Sequence, residues 1–233
     1  MLLHEIKTTS GIQVFSAEID ADEGSGCNVK NGLAVLWAIE RGIKLRGCSF
    51  AGGVYLNGAD ISNTNFSMSS LAGSTFVNCN LTGANFSNCK LNGLQLSGCK
   101  ADRCNFTSAD LTGADFGVSE LNHVNFNRAV LNNCNLNSMK IIGANFRHAI
   151  MTDDFRINSI PFSKPPIQIQ DDQYNIYIWD GHFMLDCALY SIGDWYEKTD
   201  RDYLCIDGRK AVKMRDTWID NLRAIAEKTG RLH

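Results

Sequence analysis

Apolar side chains recur in this chain every five residues. From Leu56 the series runs through Ile61, Phe66, Leu71, Phe76, Leu81, Phe86, Leu91, Leu96, Ala101, Phe106, Leu111, Phe116, Leu121, Phe126, Leu131, Leu136, Ile141, Phe146 and Met151 without a polar interruption. Two residues before each centre a small side chain recurs, as at Ala59, Ser69, Cys79, Ala84, Cys89, Ala109, Ala114, Ala129, Cys134, Ala144 and Ala149. Both positions are predicted to point inward. A helix spaces apolar residues by three and four and a strand by two, so a strict five fits neither. The chain must instead turn a corner every five residues. Gly or Asn stands two residues after the centre at 58, 63, 73, 78, 83, 88, 93, 98, 113, 133 and 143, and these residues accept the positive φ of a tight turn. Phenylalanines at 66, 86, 106, 126 and 146 return at intervals of twenty, which implies four corners per coil. With stacked backbones about 4.8 Å apart, residues 54 to 153 predict five coils in a rod roughly 24 Å tall. Leu45, Cys48 and Phe50 form an earlier half-coil, offset by one residue.

A solenoid must cover its ends, and both flanks read as covers. Val14, Ala17 and Ile19 alternate with polar residues and are predicted to pair with Ile6 to Thr8 as a hairpin across Ser10-Gly11. A helix from Asn28, with Val29, Leu33, Leu36 and Trp37 on one face and Gly42 just past its end, is predicted to lie over the first coil. Residues 154–166, with Pro161 and Pro165-Pro166, read as a linker. Beyond it Asp180-Gly181 signals a hairpin between Tyr174 to Trp179 and His182 to Leu185. Ser191 with Asp194 resembles a capping box for a short helix through Trp195. A last helix over 208–228 carries Ala211, Met214, Trp218, Leu222 and Ile225 at helical spacing.

Ala59-Asp60-Ile61, Ala84-Asn85-Phe86, Ala109-Asp110-Leu111 and Ala144-Asn145-Phe146 match the A(D/N)LXX motif, so the chain resembles the pentapeptide repeat family. That resemblance implies an all-β solenoid, a right-handed quadrilateral parallel β-helix. The expected organisation is an N-terminal hairpin and capping helix (1–42), the β-helix (43–153), a linker (154–166) and a small C-terminal α+β unit (167–233). The helix from Lys30 to Ile39, the hairpin holding His182 and Cys187, and the Ser191 to Trp195 helix are similar to flanks of phage and prophage members. Those relatives are expected to carry Gly before the cysteine and His three residues after it, where this chain has Asp186 and Tyr190.

Composition narrows the chemistry. The 233 residues carry 25 acids against 22 Lys and Arg, a formal charge of -3. These totals show neither a strongly basic nucleic-acid binder nor a polyacidic tail. With no 18-residue apolar run, the reading is a cytoplasmic protein without membrane contact, in the host cytoplasm if phage-encoded. Of nine cysteines, Cys48, Cys79, Cys89, Cys99, Cys104 and Cys134 take the small inward position and read as structural thiols. Cys79 and Cys99 fall one coil apart on one face, close enough to suggest a disulfide, while neighbouring columns hold Ala and Ser. His182 and Cys187, near Asp180 and Asp186, are the one cluster with ligand character, yet they lack the spacing of a zinc site. The expectation is no cofactor, no metal and no catalytic residue.

Some members, the quinolone-resistance type among them, are held to imitate duplex DNA. Six acids and six bases from 54 to 153 make a poor copy of a polymer with one charge per about 1.7 Å, and no tight nucleic-acid binding is expected. Asp110, Asp115 and Glu120 form the one acidic run, on successive faces. They are the candidate partner-binding residues, together with Trp218 and Leu222 as apolar surplus for a homodimer joined at the C-terminal units. Phe66, Phe86, Phe106, Phe126 and Phe146 are the predicted core. The functional expectation is a non-enzymatic, phage-like binding module that modulates or inhibits a host DNA-associated or defence protein. The alternatives are an assembly component and, behind it, a metal protein or enzyme using His182 and Cys187.

Overall fold

The computed structural model describes residues 1–136, 143–151, 155–157, 160–162, 166–170, 175–179, 182–185, 188–191, 220–222 and 224–229. The chain divides into two units, Met1–Pro165 and Pro166–His233. The first is a repeat solenoid. Parallel pairing links residues twenty apart, as in Asp60 to Asn80 to Lys100 to Glu120 and Asn65 to Asn85 to Asn105 to Asn125 to Asn145. The described centres from Leu56 to Met151 are all buried, as are the small residues two positions earlier, such as Ala84, Cys104 and Ala129, except Ala59, which is half-buried. The phenylalanine column stacks ring on ring, with centroids 5.2 to 5.4 Å apart from Phe66 through Phe86, Phe106 and Phe126 to Phe146.

Corners close by a repeated bond in which the third residue after a centre donates its N–H to the centre's carbonyl, as Thr64 to Ile61 and Ala84 to Leu81. Positive φ falls at every described position two residues past a centre except Val118. Asn63 and Gly83 were legible as such positions; Met68, Arg103, Ser108, His123, Arg128 and His148 adopt the same conformation without the residue type that favours it. At Val118 a β-branched side chain resists positive φ, and Gly117 takes it instead, at φ 47. One face departs from the turn pattern. There β4 (Tyr55–Asn57), β5 (Thr75–Val77) and β6 (Gln95–Ser97) run extended as a three-stranded parallel sheet.

At the N-terminus β1 (Leu2–Thr8) pairs with β2 (Gln13–Ile19) and with β3 (Cys48–Ser49) of the first coil. The register places Phe15, Ala17 and Ile19 inward. Val14 was expected inside but is 40% exposed, because Phe15 fills the site by stacking on Trp37 with centroids 6.0 Å apart. Helix α1 (Cys27–Glu40) ends in a Schellman turn, with Ile43 N–H to Ala38 O at 2.9 Å and Gly42 at φ +65. Its buried face differs from the expected one: Asn31, Gly32, Ala34, Val35 and Ala38 face inward, while Val29 is exposed. The cause is close approach. A Cβ on Gly32 would overlap the Tyr55 carbonyl oxygen, so small residues line the contact and the large ones flank it. Asn31 ties three elements together, donating to Gly53 O at 2.7 Å and sharing a 2.8 Å bond with His4.

At the other end the 154–166 segment, expected as a linker, contains β7 (Phe155–Ile157) and β8 (Ile160–Phe162), an antiparallel pair. Arg156 also joins the coil, its N–H donating to Cys134 O at 3.0 Å. In the second unit, β9 (Ile167–Gln170), β10 (Asn175–Trp179), β11 (His182–Leu185) and β12 (Ala188–Ser191) form an antiparallel sheet of order β12-β11-β10-β9. Trp179 pairs with His182, the register that the expected hairpin requires. Ser191, expected to cap a helix, ends β12 opposite His182. Residues 220–222 and 224–228 are helical. Ile141, Asp180, Gly181, Asp186, Cys187, Asp194, Trp195, Ala211, Met214 and Trp218 lie outside the described residues.

Candidate interaction surface

The outward residue before each centre is the one that pairs between coils, so the rod's exterior is ruled into columns. One column is all asparagine: Asn65, Asn85, Asn105, Asn125 and Asn145. In each, the side-chain oxygen accepts the N–H two residues on, at 3.0 Å. Asn145 also donates to the Asn125 side-chain oxygen at 3.1 Å. These amides order the turn beneath them and each other, a role that the A(D/N)LXX motif encodes but that the apolar pattern alone does not reveal.

The acidic run does not assemble into a patch. Asp110 stands between Lys90 and Val130, Asp115 between Gln95 and Asn135, and Glu120 next to Lys100, on three separate columns. Partial burial would raise the Asp110 carboxyl. Hydrogen bonds from Thr112 and Asn92 and the Lys90 charge outweigh it and hold the group below the ordinary range. Its oxygen accepts the Thr112 N–H at 3.1 Å and hydroxyl at 2.7 Å. Asp115 accepts the Gly117 N–H at 2.9 Å. The Asp110 and Asp115 carboxylates are engaged in turn formation, and the Lys90 charge favours the ionised form of Asp110.

Leu222, expected as exposed surplus for self-association, is fully buried. Ala226, four residues on, is also fully buried, so Leu222 lies on an inward side and not on the exposed surface expected of it. His182 is half-buried on β11, with its companions Cys187, Asp180 and Asp186 outside the described residues. Among the described residues no group of three His, Cys, Asp or Glu is placed to hold a metal, and no helix is long and apolar enough to cross a membrane.

The inward cysteines do more than fill space. Cys89, Cys104 and Cys134 each donate the thiol, at 2.9 Å, to the carbonyl of a centre in the preceding coil, Phe66, Leu81 and Leu111. Burial pushes all three thiols up to about 12. Composition shows only a small hydrophobe; the signal was the constant spacing of 23 residues from donor to acceptor.

Residues 43–126 match the family model described as "Pentapeptide repeat region", and residues 119–153 match "Pentapeptide repeats (8 copies)". No curated protein matches significantly. Among solved structures, the pentapeptide repeat protein Rfr23 from the cyanobacterium Cyanothece 51142 is 19% identical over 51% of this chain and 94% of its own, with a TM-score of 0.36. HetL, a pentapeptide repeat protein involved in heterocyst differentiation regulation in the cyanobacterium Nostoc sp. strain PCC 7120, is 22% identical over 47% of this chain and 57% of its own, TM-score 0.30. Full-length QnrB1, a plasmid-mediated fluoroquinolone resistance protein, is 19% identical over 42% and 62%, TM-score 0.33. The match thus spans less than two thirds of the last two.

Proposed function

Since the chain belongs, through residues 43–153, to the pentapeptide repeat family, we propose that it is a non-enzymatic binding module whose rod presents a preformed polar surface to a host protein. The coils wind right-handed around a square cross-section, about five in number, with the hairpin and α1 as N-terminal cover. One observation carries this reading: the outward amides and carboxylates are already ordered by bonds to the turns beneath them. A partner therefore meets side chains that lose little freedom on binding. Paired charges such as Lys90 with Asp110 favour recognition by shape and hydrogen bonding over imitation of DNA. The partner on this reading is a DNA-associated or defence factor of a bacterial host, and the gene is of phage origin.

The test is capture from bacterial lysate by immobilised full-length protein, with single glutamates placed face by face at Tyr55, Lys100, Met68 and Ile150, all exposed. One captured host protein lost with a single face supports the module. Capture indifferent to every rod variant removes the rod as the binding surface, and incorporation into virions at fixed stoichiometry favours an assembly component instead.

A further inference from the structure

Seven cysteines are described, all free thiols, and only one pair among them stacks in register. The positions twenty residues from Cys89 hold Ser69 and Ala109, and those from Cys104 hold Ala84 and Val124. Cys79 and Cys99 stand two residues past the ends of β5 and β6, which pair Phe76 with Leu96 and Val77 with Ser97. Parallel neighbours lie about 4.8 Å apart, inside the Cα range a disulfide spans. The two thiols stand within interaction range of each other across that step. That interaction lowers the Cys79 thiol to about 7 and raises Cys99. Each sulfur also lies 3.3 Å from a carbonyl, Val77 O for Cys79 and Phe76 O for Cys99. Both sit at the extended face, outside the hydrogen-bonded turns that pin the other corners.

We propose that Cys79 and Cys99 form an oxidation site at which hydrogen peroxide converts the two thiols into an intramolecular disulfide joining two successive coils. The Cys79 thiolate attacks one peroxide oxygen; the O–O bond breaks, and the departing hydroxide takes up the thiol proton as water. Cys79 becomes a sulfenic acid. The Cys99 sulfur then attacks the Cys79 sulfur, the S–O bond breaks, and hydroxide leaves with the Cys99 proton as a second water. Two thiols lose two electrons, and one peroxide becomes two waters. Both residues are 1% exposed, which suits an oxidant scarcely larger than water and excludes bulky disulfides. The two Cβ atoms must approach by under about 1 Å to reach disulfide geometry.

The experiment treats the folded full chain with hydrogen peroxide, blocks free thiols, digests with trypsin without reductant and maps the linked peptides. Cleavage after Lys90 separates the two cysteines, so the expected product is peptide 47–90 joined to 91–100, two hydrogens lighter than its parts and parted by reductant. Fragmentation assigns the bond to Cys79 rather than Cys48 or Cys89. Cys89→Ser retains the link and Cys79→Ser abolishes it. Cys27 is exposed and reports that oxidant was sufficient. Oxidised Cys27 beside fully alkylatable Cys79 and Cys99 overturns the proposal, as does a link to any other cysteine or irreversible sulfonate at Cys79 in the wild-type chain.

Discussion

Gly117 shows how one residue absorbs a misfit in the repeat. Val118 stands where every other described corner has positive φ, and the turn shifts that conformation one residue earlier. A Cβ at Gly117 would lie 2.6 Å from the Leu96 carbonyl oxygen, so Gly117→Ala meets both backbone strain and a contact that cannot relax. It is expected to cost about 2 kcal/mol or more, and Val118→Thr, at a side chain 64% exposed, less than about 0.5. Equal urea midpoints for the two variants would contradict this account. The buried thiols make a second residue-scale prediction. Cys104 is held near 12 against an ordinary 9.0, so the folded state keeps a proton that the unfolded chain releases. Its stabilisation is complete below pH 9 and declines as pH rises toward 12, by up to about 1.4 kcal/mol per pH unit. Urea midpoints between pH 8 and pH 10.5 are expected to fall less steeply in Cys104→Ser than in the wild type; parallel slopes would refute the assignment.

Among the elements, the phenylalanine column was readable because period five and period twenty both survive in the residue types. Phe106 stacks on Phe86 and Phe126 at 5.3 and 5.4 Å, with coils on both sides to resist collapse. Phe106→Ala is expected to cost about 3 to 5 kcal/mol in chemical denaturation, and Ser87→Ala at an outward corner under about 1; similar losses would reject the inward assignment. The packing of the flanks was not readable. Periodicity names an amphipathic helix but not the distance of its partner, and on α1 that distance selects Gly32, Ala34 and Ala38 over the larger Leu33 and Leu36. The same limit hid Phe15, whose place depends on Trp37, twenty-two residues away. The hairpin around Asp180-Gly181 was legible from local turn chemistry, whereas β9 and β12, which rest on pairing with that hairpin, were not.

At the scale of the molecule, the exterior shows why charge counting went only part of the way. The totals predict a neutral rod, and the columns show how it stays neutral, with Lys90 beside Asp110 and Lys100 beside Glu120. The acidic run looked like a site because 110, 115 and 120 are close in sequence, but a chain turning every five residues sends near neighbours to different faces. True neighbours are twenty apart. Burial of Leu222 likewise depends on what packs against the helix, which its spacing does not encode.

Register at the two ends of the rod differs from register within it. Ser49 pairs with Ser70 and Asn135 with Arg156, each twenty-one residues apart, whereas the bridges between them step by twenty. Inside those limits the chain has a unit of length, and a change by one whole unit is silent to every column. Excision of residues 86–105 would join Asn85 to Phe106, restore the amide-phenylalanine sequence and bring Asn85 against Asn125. That shortened protein is expected to fold with a lower urea midpoint, while excision of 86–104 puts every later side chain out of phase and yields aggregate; two deletions of equal solubility would disprove it. Such a molecule is open to growth or loss by tandem duplication in steps of sixty nucleotides, so natural variants are expected to differ in height by whole storeys while their two ends stay the same.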